Sequence, residues 1–173
     1  NDVGNRGVLA KEIDGRRATM NPYERYLEGR RQAVDELYCE DSKLLWSLPR
    51  RVVRRSILST LRAVIPEGKS VLDAGCGDGE ILESLRPSRG LGIDLCPRMI
   101  DAARRRAPAL EFRRMAAEDS SRIEEKFDYI ILVNILEEMV DIRATLKELR
   151  RLCKPTSRVI LCARSMPWWP LFT

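Results

Sequence analysis

The 173 residues are 44% hydrophobic and 33% charged, too apolar for a disordered chain, too charged for a membrane-embedded one, and enough for one ordinary domain. No run approaches the roughly 18–20 apolar residues of a membrane span, and the polar N-terminus lacks a secretory apolar stretch. The net charge of +5 is spread out, 13 basic residues against 10 acidic over 1–68 and 18 against 16 beyond, so the total says little about nucleic acid, whose binders concentrate positive charge on one face. Residues 1–21 have no apolar periodicity and read as a mobile leader. Residues 22–68 read as an N-terminal helical cap: a short helix from Pro22 to Tyr38, then a longer one over Leu44–Ile65 with Pro49 in its first turn and Pro66-Glu67-Gly68 as its stop. From residue 69 the pattern alternates. Strands are predicted at Ser70–Ala74, Gly90–Ile93, Leu110–Arg113, Asp128–Val133 and Arg158–Ala163, and helices at Glu80–Leu85, Pro97–Arg106 and Ile142–Leu152. This is the signature of an α/β, Rossmann-like, doubly wound and mostly parallel sheet.

The most informative segment is Asp73-Ala74-Gly75-Cys76-Gly77-Asp78-Gly79-Glu80. A buried strand enters a turn with glycine at alternate positions, and a helix follows. Glycines let a ligand approach the backbone without meeting a Cβ, and the carboxyl edge of a parallel sheet is where nucleotides bind. The dinucleotide fingerprint GxGxxG fails, because position 80 is Glu, and the GK[ST] of a triphosphate loop is missing. An acid at the strand end repels a pyrophosphate but suits a cationic amino-acid moiety. Asp94, closing the second strand, is placed to accept hydrogen bonds from the vicinal hydroxyls of a ribose. Cys96 before Pro97 takes the next helix cap.

Over Ser70–Ala163, these residues, with Phe127-Asp128-Tyr129-Ile130 entering the fourth strand and Asn134-Ile135-Leu136-Glu137-Glu138 leaving it, resemble the class I S-adenosylmethionine-dependent methyltransferases. The resemblance implies S-adenosylmethionine as cofactor. Asp73, Gly75, Cys76, Gly77 and Gly79 would hold its methionine part, Asp94 its ribose, and Leu95 and Met99 would pack beside the adenine. Val133, Asn134 and Ile135 would floor the site, while Ala117 and Glu118 would lie near the adenine. Ala116 stands where family members often place an adenine-binding Asp, with Glu118 or Asp119 as substitutes. The Leu-Glu-His after the fourth strand is Leu136-Glu137-Glu138, and the Lys-Pro-Gly-Gly turn is Lys154-Pro155-Thr156-Ser157. The family's sixth and seventh strands are not found, so residues 69–173 are expected to be a C-terminally truncated methyltransferase domain.

The absence of histidine excludes a histidine base, a Ser-His-Asp triad or a His-bound metal within this chain. Five cysteines (Cys39, Cys76, Cys96, Cys153 and Cys162) form no CxxC pair, so no metal site is expected and a reducing cytoplasm is favoured. If the acceptor must lose a proton, Glu137, Glu138 and Tyr26 are the candidates. Tyr23, Tyr26 and Trp46 either close a lid or simply pack; Trp168 and Trp169 either line an acceptor pocket or bury against other parts. Arg50, Arg51, Arg54, Arg55 and Arg62 lie in a stretch without acids, read as a solvated face opposite Val53, Ile57 and Leu61 rather than a polyanion patch. The expected activity is methylation of a small molecule or glycan/lipid-type metabolite. The alternatives are an inactive binding or scaffold module of the same fold, and an RNA methyltransferase. The last strand is expected to leave a sheet edge, covered by a homodimer, by Trp168–Phe172 or by further residues.

Overall fold

The computed structural model describes residues 48–163 and, alone before them, Gly29, with side chains from Val53 onward. The order is α1 (Leu48–Val64), β1 (Ser70–Ala74), α2 (Glu80–Ser84), β2 (Arg89–Asp94), α3 (Pro97–Arg106), β3 (Glu111–Arg114), a 3-10 helix (Ala117–Arg122), β4 (Phe127–Val133), a 3-10 turn (Leu136–Glu138), α4 (Ile142–Arg151) and β5 (Cys153–Cys162). All strands pair in parallel, in the order β3-β2-β1-β4-β5. The doubly wound α/β sheet expected from the alternating pattern is therefore the fold.

Side chains of a strand point alternately to the two faces, and β1 feeds a separate core on each. Leu72 and Ala74 join Leu91, Ile93, Ile130, Leu132 and Leu149 beneath α4 and the 3-10 helix. Val71 joins Leu61, Leu82, Ile100, Ala103 and Ile131 beneath α1, α2 and α3. Asp73 shares the second face with Val71. Leu61 and Ile65 anchor α1 in that core, whereas Val53, assigned to the same apolar face by its spacing, is 53% exposed. The helix has outrun the sheet by that turn.

The amino ends of the strands are closed by ionic groups. Ser70 donates to Asp128 Oδ2 from its amide (2.9 Å) and its hydroxyl (2.7 Å), and Lys154 Nζ donates to Asp128 Oδ1 at 2.7 Å. Nearby, Arg89 pairs with Glu125 (2.8 Å) and Glu111 (2.5 Å). Asp128, in a segment that helped to carry the family resemblance, and Lys154, in the segment that departs from the family's Lys-Pro-Gly-Gly turn, thus form a clasp at the end of the sheet opposite the glycine loop.

Most element bounds fall within a residue of the sequence expectation; β5 does not. It begins at Cys153 instead of Arg158, and its register against β4 jumps from Phe127↔Cys153 to Tyr129↔Arg158. Residues 154–157, which stand where the family resemblance implied a turn, bulge out of a continuous strand. Ser157 Oγ ties the bulge down, donating to the Phe127 carbonyl at 2.5 Å and accepting from the Lys154 amide at 2.7 Å. Among the described residues β5 is an edge strand, with Val159 42% and Leu161 46% exposed. Residues 1–28 and 30–47, and 164–173, lie outside the described residues, including Tyr23, Tyr26, Trp46, Trp168 and Trp169.

Candidate functional site

The strand order reverses between β1 and β4, and the crevice outside the carboxyl ends at such a point is the binding position of open parallel sheets. The glycine loop leaves β1 there, and Asn134-Ile135 leaves β4. Gly75, Gly77 and Gly79 have φ of +80°, +53° and +75°, in the left-handed region. At Gly75 an added Cβ would stand 2.5 Å from Ile135 Cδ1, and at Gly79 it would stand 2.9 Å from the Phe112 ring. These two glycines let the loop press against β4 and β3. Gly77 differs, since a Cβ there would meet nothing within 4 Å. It faces open space, as a ligand-contacting position must.

The loop is stitched to β2 by backbone and carboxylate. The Gly75 and Cys76 amides donate to the Ile93 carbonyl at 2.8 and 3.0 Å. Asp94 accepts from the Gly77 amide through Oδ2 at 2.9 Å and from the Cys96 amide through Oδ1 at 2.8 Å. Asp94 thereby ties the loop to the start of α3. Cys96 is indeed the N-cap of α3, with Pro97 in the first turn.

Asp73 is 1% exposed, and neither carboxylate oxygen has a hydrogen-bond partner. Burial, reinforced by Asp94 and Asp78 and opposed by Arg54, pushes its pKa up to about 8. A buried acid without partners costs stability unless it stays protonated or meets a cation. Cys76, assigned to the same pocket, turns its side chain inward, 5% exposed within the core beneath α2. Burial, then Asp73 and Asp94, push its thiol far above the ordinary range. Only its backbone remains for a ligand.

Leu95 and Met99 are half-buried beyond Asp94. Ala116 and Ala117 are buried, and Glu118 reaches the 136–141 connection, accepting from the Val140 amide at 3.3 Å. Val133 and Asn134 are half-buried; Asn134 has φ +53° and donates its amide to the Cys162 carbonyl at 2.7 Å. Asparagine tolerates this conformation better than most residues, and the turn sends Ile135 over Gly75. Of the candidate bases, Glu137 is exposed and Glu138 half-buried; Tyr26 lies outside the described residues.

The sequence reading passed over Asp78. It is buried in the loop between Gly77 and Gly79, held by Arg54 of α1 on Oδ1 and by Arg106 at the end of α3 on Oδ2 at 2.9 Å. Arg54 also pairs with Glu80, and Arg62 donates to the Ser84 carbonyl at 3.2 Å. Arg54 thus docks α1 onto the loop and α2, which the solvated-face reading missed, whereas Arg55 and Arg62 are exposed as that reading expected.

Comparison with known proteins agrees with this geometry. A family model described as a methyltransferase domain matches residues 46–166. The chain is 24% identical over 149 residues to a demethylmenaquinone methyltransferase of Staphylococcus epidermidis, covering 82% of this chain and 61% of the relative. It is 33% identical over 102 residues to a ubiquinone biosynthesis O-methyltransferase of Cereibacter sphaeroides, covering 55% and 41%. The chain thus spans about half the length of these curated relatives. Among solved structures, the N-methyltransferase NodS of Bradyrhizobium japonicum bound to S-adenosyl-L-homocysteine superposes with a TM-score of 0.64 at 20% identity, over 76% of this chain and 71% of NodS. An S-adenosylmethionine-dependent methyltransferase of Thiobacillus denitrificans, also with S-adenosyl-L-homocysteine, gives 0.51 at 27% identity, over 60% and 46%. Fold, glycine loop and family model converge, and the chain belongs to the class I S-adenosylmethionine-dependent methyltransferases.

Proposed function

We propose that the chain binds S-adenosylmethionine at the 73–79 loop and transfers its methyl group to a small-molecule acceptor. The observation that carries this reading is the buried, unpartnered Asp73 carboxyl, with Asp94 beside it and Gly77 open above. That arrangement suits a ligand with a cationic amino-acid end and a ribose. Asp73 is proposed to face the cation, Asp94 the ribose hydroxyls, Leu95 and Met99 the adenine, and Val133–Ile135 the floor. Ala117 bounds the adenine side. Glu118, already bonded to Val140, is proposed to act there from its present position.

The cofactor, when bound, supplies a methyl carried on a positively charged sulfur, open to in-line displacement. The chain's part is to hold donor and acceptor in line, and such positioning can be worth roughly 7–11 kcal/mol. Where the acceptor is a hydroxyl, a proton must leave it, and Glu138, half-buried beside the Ile135 turn, is better placed than exposed Glu137. The curated relatives named above act on quinone precursors by their names. They support an aromatic or lipid-type small molecule over a glycan. The RNA alternative is weakened because Arg54 and Arg62 are engaged with α2 and its loop.

Calorimetry with S-adenosyl-L-homocysteine tests the reading. Wild type should bind, and Asp94→Ala should weaken binding about 10–100-fold, the loss of one or two charge-assisted hydrogen bonds. No heat with folded wild-type chain would overturn it. Binding without methyl transfer to any quinone, sugar, lipid or tRNA acceptor would favour the scaffold alternative instead. We also propose a cytoplasmic setting, supported by the described cysteines being thiols rather than disulfides, and self-association across the β5 edge. Sedimentation should then show a dimer that Leu161→Lys dissociates; a monomeric wild type would refute the association.

A further inference from the structure

Gly77 and Gly79 have no side chains with which to define their own positions, and glycine has the most backbone freedom to lose on ordering. What fixes this stretch is the residue between them. Asp78, its side chain 10% exposed, sits between two guanidiniums arriving from different helices. Arg54 of α1 takes Oδ1. Arg106 takes Oδ2 at 2.9 Å, and its Nε donates to the Asp78 carbonyl at 3.1 Å, so it grips side chain and main chain together. Arg54 reaches on to Glu80, the first residue of α2, and Arg106 lies 3.9 Å from Glu83.

The clip thus ties the loop to α1 and α3. Its consequence falls on the two neighbouring amides. The Gly77 amide is aimed at Asp94 (2.9 Å), and the Gly79 amide closes the loop on the Cys76 carbonyl (3.0 Å). Both bonds depend on the φ values that Asp78 anchors from the middle. Resting on the cofactor reading above, we infer that Arg54 is a positioning residue. By clamping Asp78 against Arg106 it holds the Gly77–Gly79 backbone in ligand-ready shape, so that α1 governs cofactor affinity from outside the pocket. Arginine suits this role because its rigid fork can serve Asp78 and Glu80 at once, which the single point charge of lysine cannot.

Two readouts on the full chain separate positioning from simple stabilisation. The first is amide hydrogen exchange by NMR in the ligand-free chain. Arg54→Met should accelerate exchange at Gly77 and Gly79 while leaving the β2–β3 ladder amides unchanged. The second is calorimetry with S-adenosyl-L-homocysteine at a temperature where both proteins are fully folded. Arg54→Met should raise Kd about tenfold, equivalent to about 1.4 kcal/mol. Arg54→Lys should recover part of that, and Arg55→Met, a neighbouring exposed arginine, should match wild type. Arg106→Met should weaken binding as well, with an effect not additive with Arg54→Met because both act through Asp78. Unchanged Kd in Arg54→Met, with wild type binding normally, overturns the inference. If wild type itself does not bind, the cofactor reading falls, and unaltered loop exchange in Arg54→Met would overturn the positioning role separately.

Discussion

Replacing Asp73 by asparagine should change how stability depends on pH. In the unfolded chain this carboxyl ionises near 4, whereas in the fold burial, with Asp94 and Asp78 nearby, holds it protonated up to about 8 despite the opposing Arg54. Between these values the folded state carries a proton that the unfolded state has lost. Stability from this source is therefore fully present below pH 4 and falls as pH rises, by about 1.4 kcal/mol per unit. By pH 7 the loss is about 4 kcal/mol, a large share of the roughly 5–15 kcal/mol that holds a domain together. Asparagine cannot ionise, so the variant escapes the decline. Both side chains are neutral at pH 4.5, and from there the variant should gain steadily on wild type toward pH 8. Urea unfolding of both proteins at half-unit pH steps measures the difference, in which groups remote from Asp73 cancel while Asp94, Asp78 and Cys76, coupled to it, contribute with it. Parallel curves would show that Asp73 ionises normally in the fold, and the electrostatic argument for a cation site would fail. The same group should release close to one proton when a cationic ligand binds at pH 7, seen by calorimetry in buffers of different ionisation enthalpy and absent in Asp73→Asn.

Two further outcomes follow from packing and from the clasp. Gly75→Ala combines a left-handed φ of +80° with a Cβ 2.5 Å from Ile135 Cδ1. It should destabilise by about 2–4 kcal/mol and lower Tm by roughly 10 °C, while an added Ile135→Ala relieves the clash but not the backbone strain; equal Tm values would refute this. Asp128 is held well below the usual carboxylate range by Lys154, then by Ser70, so its contribution is present above about pH 4 and is lost as acid protonates it. Asp128→Asn should cost about 1–3 kcal/mol at pH 7 and leave stability less sensitive to acid, with ligand affinity unchanged; a large rise in Kd would contradict the placement of this group away from the pocket.

The sheet and the loop were readable because their signals are local. The apolar run Tyr129–Val133 and the alternate glycines after Asp73 each state their role within a few residues. Asp78 and Arg54 were not readable as a pair, since they stand 24 positions apart and the helical spacing that puts Arg54 on the polar side of α1 names no partner for it. A signal did exist: an arginine-bearing stretch without acids precedes a loop and helix carrying Asp73, Asp78, Glu80 and Glu83. The 3-10 helix at Ala117–Arg122 is too short for periodicity to show, and it shifts Glu118 toward Val140. The start of β5 was misplaced because Lys154-Pro155-Thr156-Ser157 stands where the family places a turn, and only the register against Phe127 shows that the chain bulges and continues.

The two rims of the sheet obey opposite rules. Along the amino rim, Ser70, Asp128 and Lys154 form one bonded group and Arg89, Glu111 and Glu125 another. Along the carboxyl rim, the buried Asp73 carboxyl has no hydrogen-bond partner. Directed evolution toward heat resistance should therefore harvest its gains around the former with little effect on ligand selectivity, whereas altered selectivity selected at the latter should arrive together with shifts in melting behaviour.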